Sequence, residues 1–257
     1  MLIIYFVLSA ITGFAGYKAK SLTAGGAITA AIVGSAIAYG FGWKGLLLLG
    51  VFFVSSSLWS KYKVKQKEAV EQIVEKGAAR DHYQVLANGG AAAFAGIWMG
   101  LYPNYWLAVF FLAALATSNA DTWASELGVL SKRLPLHILK LKLVPAGTSG
   151  AVSVLGLLSS LMGALLIGSL GAVLFEKSLL LLVSVTFGGF LGCLVDTFLG
   201  GLIQEEFRCQ VCGIKTERHV HCGMKTVKIK GLSGLNNDVV NFLSSITGGI
   251  AGGVWFL

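Results

Sequence analysis

Lysine and arginine are excluded from eight apolar stretches of this chain, and that segregation constrains its fold more than any single motif. Crossing about 30 Å of hydrocarbon takes about 20 helical residues. The stretches lie near 1–16, 24–42, 46–59, 88–101, 105–120, 148–174, 179–203 and 238–257. The run from Gly89 to Ala120 is too long for one crossing, and Pro103-Asn104 supplies the turn that divides it. Charged residues make up only 12% of the chain and the mean hydropathy is +0.76, against about 25% charged residues in an average soluble domain. These figures exclude disorder, a disulfide scaffold, a coiled coil and an ordinary cytosolic enzyme. The expectation is an all-α, polytopic transmembrane helix bundle of about eight spans, forming a single membrane domain over residues 1–257. A small Cys/His insertion is expected at 205–235. The first seventeen residues carry no charge, so the basic n-region of a signal peptide is missing and Met1 to Gly16 reads as a retained span.

The placement of charge matters more than the net +8, and no nucleic-acid partner is expected. With the N-terminus outside, the inner loops are 17–23, 60–87, 121–147 and 204–237. They carry 18 of the 20 Lys and Arg residues, leaving only Lys44 and Lys177 outside. The positive-inside rule expects this asymmetry, which places both termini outside a cytoplasmic membrane and the loops in the cytoplasm. The glycines lie within the apolar runs, where small residues let membrane helices approach closely. Residues 63–80 form an amphipathic, charged helix candidate with Lys67/Glu71 and Glu71/Glu75 at i,i+4, suited equally to the membrane surface or to solvent.

Polar groups in or beside apolar runs are costly in a bilayer and mark functional candidates. Six such places fall at the same expected membrane face. SNADTWASELG (118–128) offers Asn119, Thr122 and Glu126 on one helical ridge and Asp121 and Ser125 on the next. Asp121 and Glu126 lie about 140° apart on a helix, so one metal cannot take both unless the helix bends or ends. Hard carboxylate oxygens suit Mg²⁺ shared with phosphates. VPAGTSGAVS (144–153) places Gly147, Thr148, Ser149 and Gly150 just before an expected helix start, where open backbone amides form an anion site or a hydroxyl caps the helix. Asp196 lies deep in the seventh run on a ridge with Gly192, Gly200 and Gln204. Asn237, Asp238 and Asn241 share one face where the last span opens. Lys20 and Ser21 in KAKSLTAGGA (18–27), and Arg80 and Asn88 in RDHYQVLANGG (80–90), put a cation before a glycine-containing helix start, suiting phosphate or lipid headgroups.

Of the four cysteines, Cys193 sits alone in an apolar run and reads as a packing residue. The others belong to RCQVCGIKTERHVHCG (208–223). The Cys209-x-x-Cys212 spacing followed by His219, His221 and Cys222 is that of a zinc knuckle. The expected structural Zn²⁺ set is Cys209, Cys212, Cys222 and one histidine, His221 in the set adopted here; reduced or redox-active thiols are the alternative.

SNADTWASELG, VPAGTSGAVS, LGCLVDTFLGGLIQ and NNDVVNFLSS, together with KSLTAGGA and RDHYQVLANGG, occur in the same order as in domain-of-unknown-function family 92, the transmembrane protein nineteen-like proteins. The resemblance runs nearly from end to end. That family includes the plant phytyl-phosphate kinase, which makes an isoprenoid diphosphate from the monophosphate. Where the family has Gly-Thr-Asn-Gly, Ser149 stands third here. A fainter similarity, carried by Asp121-Thr-Trp-Ala124-Ser125-Glu-Leu-Gly128 and Asn237-Asp238, links the chain to dolichol-kinase-like, CTP-dependent membrane enzymes.

The resemblance implies a kinase that moves a phosphoryl group from a nucleoside triphosphate, CTP or ATP, to a prenyl or phytyl monophosphate lipid. Asp121, Glu126, Asp196 and Asp238 are the expected catalytic acids, with Mg²⁺ on Asp121, Glu126 and Asp238. The expected binding groups are Lys20, Ser21, Arg80, Asn88, Asn119, Thr122, Ser125, Gly147 to Gly150, Asn237 and Asn241. A lipid-phosphate transporter or flippase and a cytidylyltransferase are the competing readings.

Overall fold

A computed structural model describes residues 2–71, 73, 77, 79–175 and 178–256. Eight helices dominate it: α1 (Leu2–Lys18), α2 (Ala24–Lys61), α3 (Val64–Glu71), α4 (His82–Leu101), α5 (Tyr105–Gly128), α6 (Val154–Phe175), α7 (Leu179–Leu202) and α8 (Asn237–Gly253), the last closed by a 3₁₀ turn at Val254–Phe256. Among the described residues, α2, α5, α6, α7 and α8 with its terminal turn are long and apolar enough to cross a membrane, while α1 is apolar but shorter. Glu75, Lys177 and the side chain of Glu71, which entered the charge reading, lie outside the described residues.

The expected spans 24–42 and 46–59 are one helical element. A straight helix of 38 residues would reach about 57 Å, nearly twice the hydrocarbon thickness. Gly42 breaks it with φ 59° and ψ −146°, a conformation that needs a residue without Cβ. The second half folds back on the first, so Leu46 lies beside Gly34, and Gly45 beside Ile37 and Phe41. The far end returns to the start, where Lys61 Nζ donates to the Ala19 carbonyl at 2.8 Å.

Helix α5 is the axis of the bundle. Every residue from Leu107 to Ala120 is buried, as befits a helix apolar on all faces. Its neighbours approach through small side chains. At Gly188 on α7, an added Cβ would lie 2.6 Å from the Gly248 carbonyl oxygen and 2.7 Å from the Gly252 nitrogen of α8. Such contact replaces the hydrophobic drive that lipid cannot supply between helices.

Several boundaries differ from expectation, each for a local reason. Helix α4 starts at His82 rather than 88, because Asp81 and Gln84 form a reciprocal capping box. Helix α5 continues to Gly128, carrying the whole SNADTWASELG segment as helix. Helix α6 begins at Val154 rather than 148, with Ser153 Oγ accepting from Gly156 N at 3.0 Å. The Gly147–Gly150 turn is therefore separated from that helix start by a strand.

The loops also hold strands that the hydropathy pattern did not show. β1 (Leu136–His137), β2 (Lys142–Leu143) and β3 (Ala151–Val152) form an antiparallel sheet in the order β2-β1-β3. Between α7 and α8, β4 (Glu206–Arg208), β5 (Lys215–Thr216) and β8 (Val227–Lys230) form a second sheet, in the order β5-β4-β8. β6 (Val220–His221) and β7 (Met224–Lys225) pair as a hairpin.

The four cation-rich loops meet at one end of the bundle. Leu22 bridges to Arg80, Thr216 Oγ1 donates to the Ile73 carbonyl, Ser149 Oγ donates to Glu217, and Ser153 Oγ donates to the Gly128 carbonyl. Lys44, over the ring of Phe175, belongs to the opposite end.

The α7–α8 contact gives a direct test of the packing. Replacing Gly188 with Val should cost about 1–3 kcal/mol by overpacking against backbone that cannot yield. A melting temperature in detergent well below that of the parent protein is expected. Gly50→Ala, at a site with nothing within 4 Å, should leave it unchanged.

Candidate active site

The C-terminal end of α5 opens into a cavity of about 370 Å³, walled by α2, α3, α4, α5, α6, α7, α8 and the 146–153 loop. Because α5 remains helical through Gly128, Asp121 and Glu126 point to different neighbours, as the 140° separation requires. Asp121 faces α7, where its carboxyl group is within hydrogen-bonding reach of Asp196. Glu126 faces α2 and α3: Oε1 accepts from Ser60 at 2.6 Å and Oε2 pairs with Lys67 at 2.6 Å.

Asp196 is held from α8. Ser244 donates to its Oδ2 at 2.8 Å, and the Asn241 amide, oriented to satisfy both its ends, donates to the same oxygen at 2.9 Å and to the Asn237 carbonyl at 3.1 Å. Asn236 caps α8, accepting from Val239 N at 3.2 Å, which leaves Asn237, Asp238 and Asn241 to line the cavity. Two carboxyl groups in contact in an apolar bundle need a proton or a cation between them, because two bare like charges at that separation repel. The two donors from α8 both reach one oxygen of Asp196, Oδ2.

Gly147 (φ 83°) and Gly150 (φ 81°) bend the 147–150 turn over the end of α7. At Gly150 the backbones touch: a Cβ there would lie 2.9 Å from the Gly201 nitrogen. Thr148 Oγ1 donates to the Pro145 carbonyl at 2.7 Å. Ser149 Oγ donates to Glu217 Oε1 at 3.0 Å, and Gln204 Nε2 donates to the same oxygen at 2.7 Å.

Most of the expected residues share this cavity. Arg80, Asn88, Asp121, Thr122, Ser125, Glu126, Gly147 to Gly150, Asp196, Asn237, Asp238 and Asn241 all line it. Lys20, Ser21 and Asn119 do not. Lys20 is exposed on the α1–α2 turn at φ 55°. Ser21 is buried and acts through its carbonyl, which accepts from Arg80 N at 3.0 Å. Asn119 is fully buried two residues, or about 200°, from Asp121. Its oxygen accepts from Ser55 at 3.2 Å and Ser56 at 3.4 Å, and its amide donates to the Gly163 carbonyl at 2.8 Å, tying α5 to α2 and α6.

The cavity also holds groups that the sequence did not single out. Lys67, expected to face Glu71 on a surface helix, is buried with its amine between Glu126 and the Trp59 carbonyl at 2.6 Å. Gln84 and Glu217 also line the wall, together with Gln204 from the Asp196 ridge. For Lys67 the one available signal is its place beside Val70 on the apolar side of α3. Arg80 donates to Ser57 Oγ at 3.3 Å and lies over the rings of Phe52 and Phe53. Burial lowers its affinity for a proton, while the Glu126 charge acts the other way.

The model of the family described as integral membrane protein DUF92 matches residues 7–249. The chain belongs to this family. An uncharacterized membrane protein of Methanocaldococcus jannaschii is 31% identical over 91% of this chain and 86% of its own length. Protein PGR of Arabidopsis thaliana is 31% identical over 95% and 92% of the two chains, and the chloroplastic protein VTE6 of the same plant is 24% identical over 89% and 63%. No solved structure matches this DUF92 chain.

Outside the cavity, the DUF92 chain brings Cys209, Cys212, His221 and Cys222 together, with one ligand atom from each within 4.8 Å of the others. His221 Nδ1 lies 3.5 Å from Cys212 Sγ and 3.2 Å from Cys222 Sγ. His219 instead packs its ring 4.5 Å from that of Phe207. The backbone N–H of Cys212 holds the Cys209 thiol down to about 6, whereas the hydrogen bond to Cys212 pushes Cys222 up to about 11.

The Lys67–Glu126 pair is open to a mutational test. Removing one partner of a fully buried pair costs about 3–5 kcal/mol; here Lys67 is buried but Glu126 keeps a quarter of its side chain exposed, so the cost falls below that range. Lys67→Met should therefore lower the melting temperature in detergent, and Lys67→Met/Glu126→Gln should melt above the single variant. A double variant no more stable than Lys67→Met would show that the pair is not coupled.

Proposed function

We propose that this DUF92 protein is an isoprenoid-monophosphate kinase that moves the terminal phosphoryl group of CTP or another nucleoside triphosphate to a prenyl or phytyl monophosphate. One observation carries the reading: Asp121, Asp196 and Asp238, from three helices far apart in sequence, line one cavity with a glycine turn and two cations, the buried Lys67 and the half-buried Arg80. Acids alone would repel a phosphate, and cations alone would fit a lipid headgroup. Both together suit a metal–phosphate complex at the end of a membrane bundle. The end-to-end resemblance to a family that includes phytyl-phosphate kinase supports the same reading.

The donor set fits Mg²⁺. It consists of oxygens on the cavity wall, with two carboxyl groups close enough to share one cation. Asp121 and Asp196 would hold it, with Asp238 on the same wall. Glu126, committed to Ser60 and Lys67 on the opposite side of α5, instead holds the lysine in place. Bound there, the metal would neutralise phosphate charge.

The chain's own residues supply positioning, which is most of what phosphoryl transfer needs. The Gly147–Gly150 turn offers backbone close to a phosphate, and Lys67 and Arg80 balance charge on the α2–α4 side. No general base is required, because an ionised monophosphate is already nucleophilic. The lipid tail stays among the helices, and the polar end faces the cytoplasm in keeping with its excess of cations.

The test uses purified protein in lipid nanodiscs with Mg²⁺, phytyl or geranylgeranyl monophosphate, and CTP or ATP labelled at the α- or γ-phosphate. Label from the γ-phosphate in a lipid diphosphate is the expected result. Asp121→Asn should lower the rate at least about a hundredfold with an unchanged melting temperature. Full activity of that variant would remove Asp121 from the reaction, label from the α-phosphate would make the enzyme a cytidylyltransferase, and lipid movement without nucleotide turnover would make the protein a transporter.

A further inference from the structure

The 208–222 loop has no core of its own, yet it reaches both the cavity wall and the α3–α4 connection. Two hairpins present its ligands: β4–β5 flanks Cys209 and Cys212, and β6–β7 carries His221 and Cys222. Turns close both pairs, with Gly213 at φ 73°, Cys222 at φ 51° and Gly223 at φ 74°. Zn–S bonds of about 2.3 Å and Zn–N bonds of about 2.0 Å give a tetrahedron with edges of about 3.5–3.8 Å. The 3.5 Å and 3.2 Å approaches of His221 Nδ1 to the two sulfurs are close to the nitrogen–sulfur edge, and the whole set, within 4.8 Å, needs to draw in by about 1 Å at most. The Val211 N–H also points at Cys209 Sγ at 3.4 Å, a donor that suits a metal-bound thiolate.

Between the two ligand pairs lie Thr216 and Glu217. Thr216 Oγ1 and Glu217 N both donate to the Ile73 carbonyl, at 2.6 Å and 2.9 Å. The Glu217 side chain extends to the cavity, where Ser149 of the glycine turn and Gln204 at the end of α7 both donate to Oε1. Four ligands on one ion leave no position for substrate, so the site is structural. Its effect reaches the cavity through the residues it holds.

We propose that the 208–222 loop is a metal-organised strap: a zinc ion bound by Cys209, Cys212, His221 and Cys222 fixes the loop so that Glu217 completes the cavity wall against Ser149 and Gln204. Zinc thereby orders the Gly147–Gly150 turn, about seventy residues earlier in the chain, and Glu217 is a positioning residue for that turn. The strap rests on the cavity's geometry and not on the kinase reading, so each stands or falls separately.

The experiment uses the full-length protein in detergent, with zinc measured by elemental analysis and backbone order measured by hydrogen–deuterium exchange. About one zinc per chain is expected, retained in His219→Ala and lost in His221→Ala and Cys212→Ser. Cobalt substitution should give the thiolate-to-metal absorption of a tetrahedral site. Removing zinc with a chelator should raise exchange both in 208–223 and in 146–151, and readdition should reverse it. Glu217→Gln should keep its zinc while exchanging faster at 146–151. Absence of bound zinc, or its retention in His221→Ala, would overturn the metal site. Faster exchange confined to 208–223 would overturn the link to the cavity.

Discussion

The carboxylates of Asp121, Glu126 and Asp196, at the edge of an apolar bundle, are the constraint around which the rest of this molecule is arranged. A charged group at the centre of a membrane helix costs roughly 2.5–3.5 kcal/mol on insertion scales, so each acid must be compensated where it sits. Glu126 receives a lysine and a serine; Asp196 receives an amide and a hydroxyl from α8. Asp121 and Asp196 are left in contact with one another, an arrangement that favours a cation between them.

Such convergence needs helices that come close enough for short side chains to meet. The glycines supply this spacing, most clearly where α7 and α8 touch at Gly188 and bring Asp196 within reach of Asn241 and Ser244. The central helix supplies direction. α5 is buried over its middle, so its apolar length fixes the end that carries Asp121 and Glu126. Packing and chemistry are therefore two consequences of the same run of small residues.

Much of this was legible in the sequence because membrane burial leaves a one-dimensional record. Uncharged runs marked the helices, although the runs 24–42 and 46–59, read as separate spans, are one helical element broken at Gly42. Polar residues inside the runs marked the cavity, because a bilayer tolerates them only with partners. The record is silent on direction within a buried face: Asn119 looked like a cavity residue but bonds α2 and α6. It also misleads in the loops. Lys67 and Glu217 carry charges typical of solvated segments, and only tertiary contacts with Glu126, Ser149 and Gln204 draw them in. The two-residue strands are too short to leave any alternation.

The central claim is that the acids, the glycine turn and the two cations form one phosphate site. A cryo-electron-microscopy structure of the protein with Mg²⁺, a non-hydrolysable CTP analogue and a prenyl monophosphate tests it most directly. Phosphate density between the Gly147–Gly150 turn and Asp121 and Asp196, with the prenyl chain running down between the helices, is the expected result. Phosphates bound at the opposite end of the bundle, or outside this cavity altogether, would contradict it.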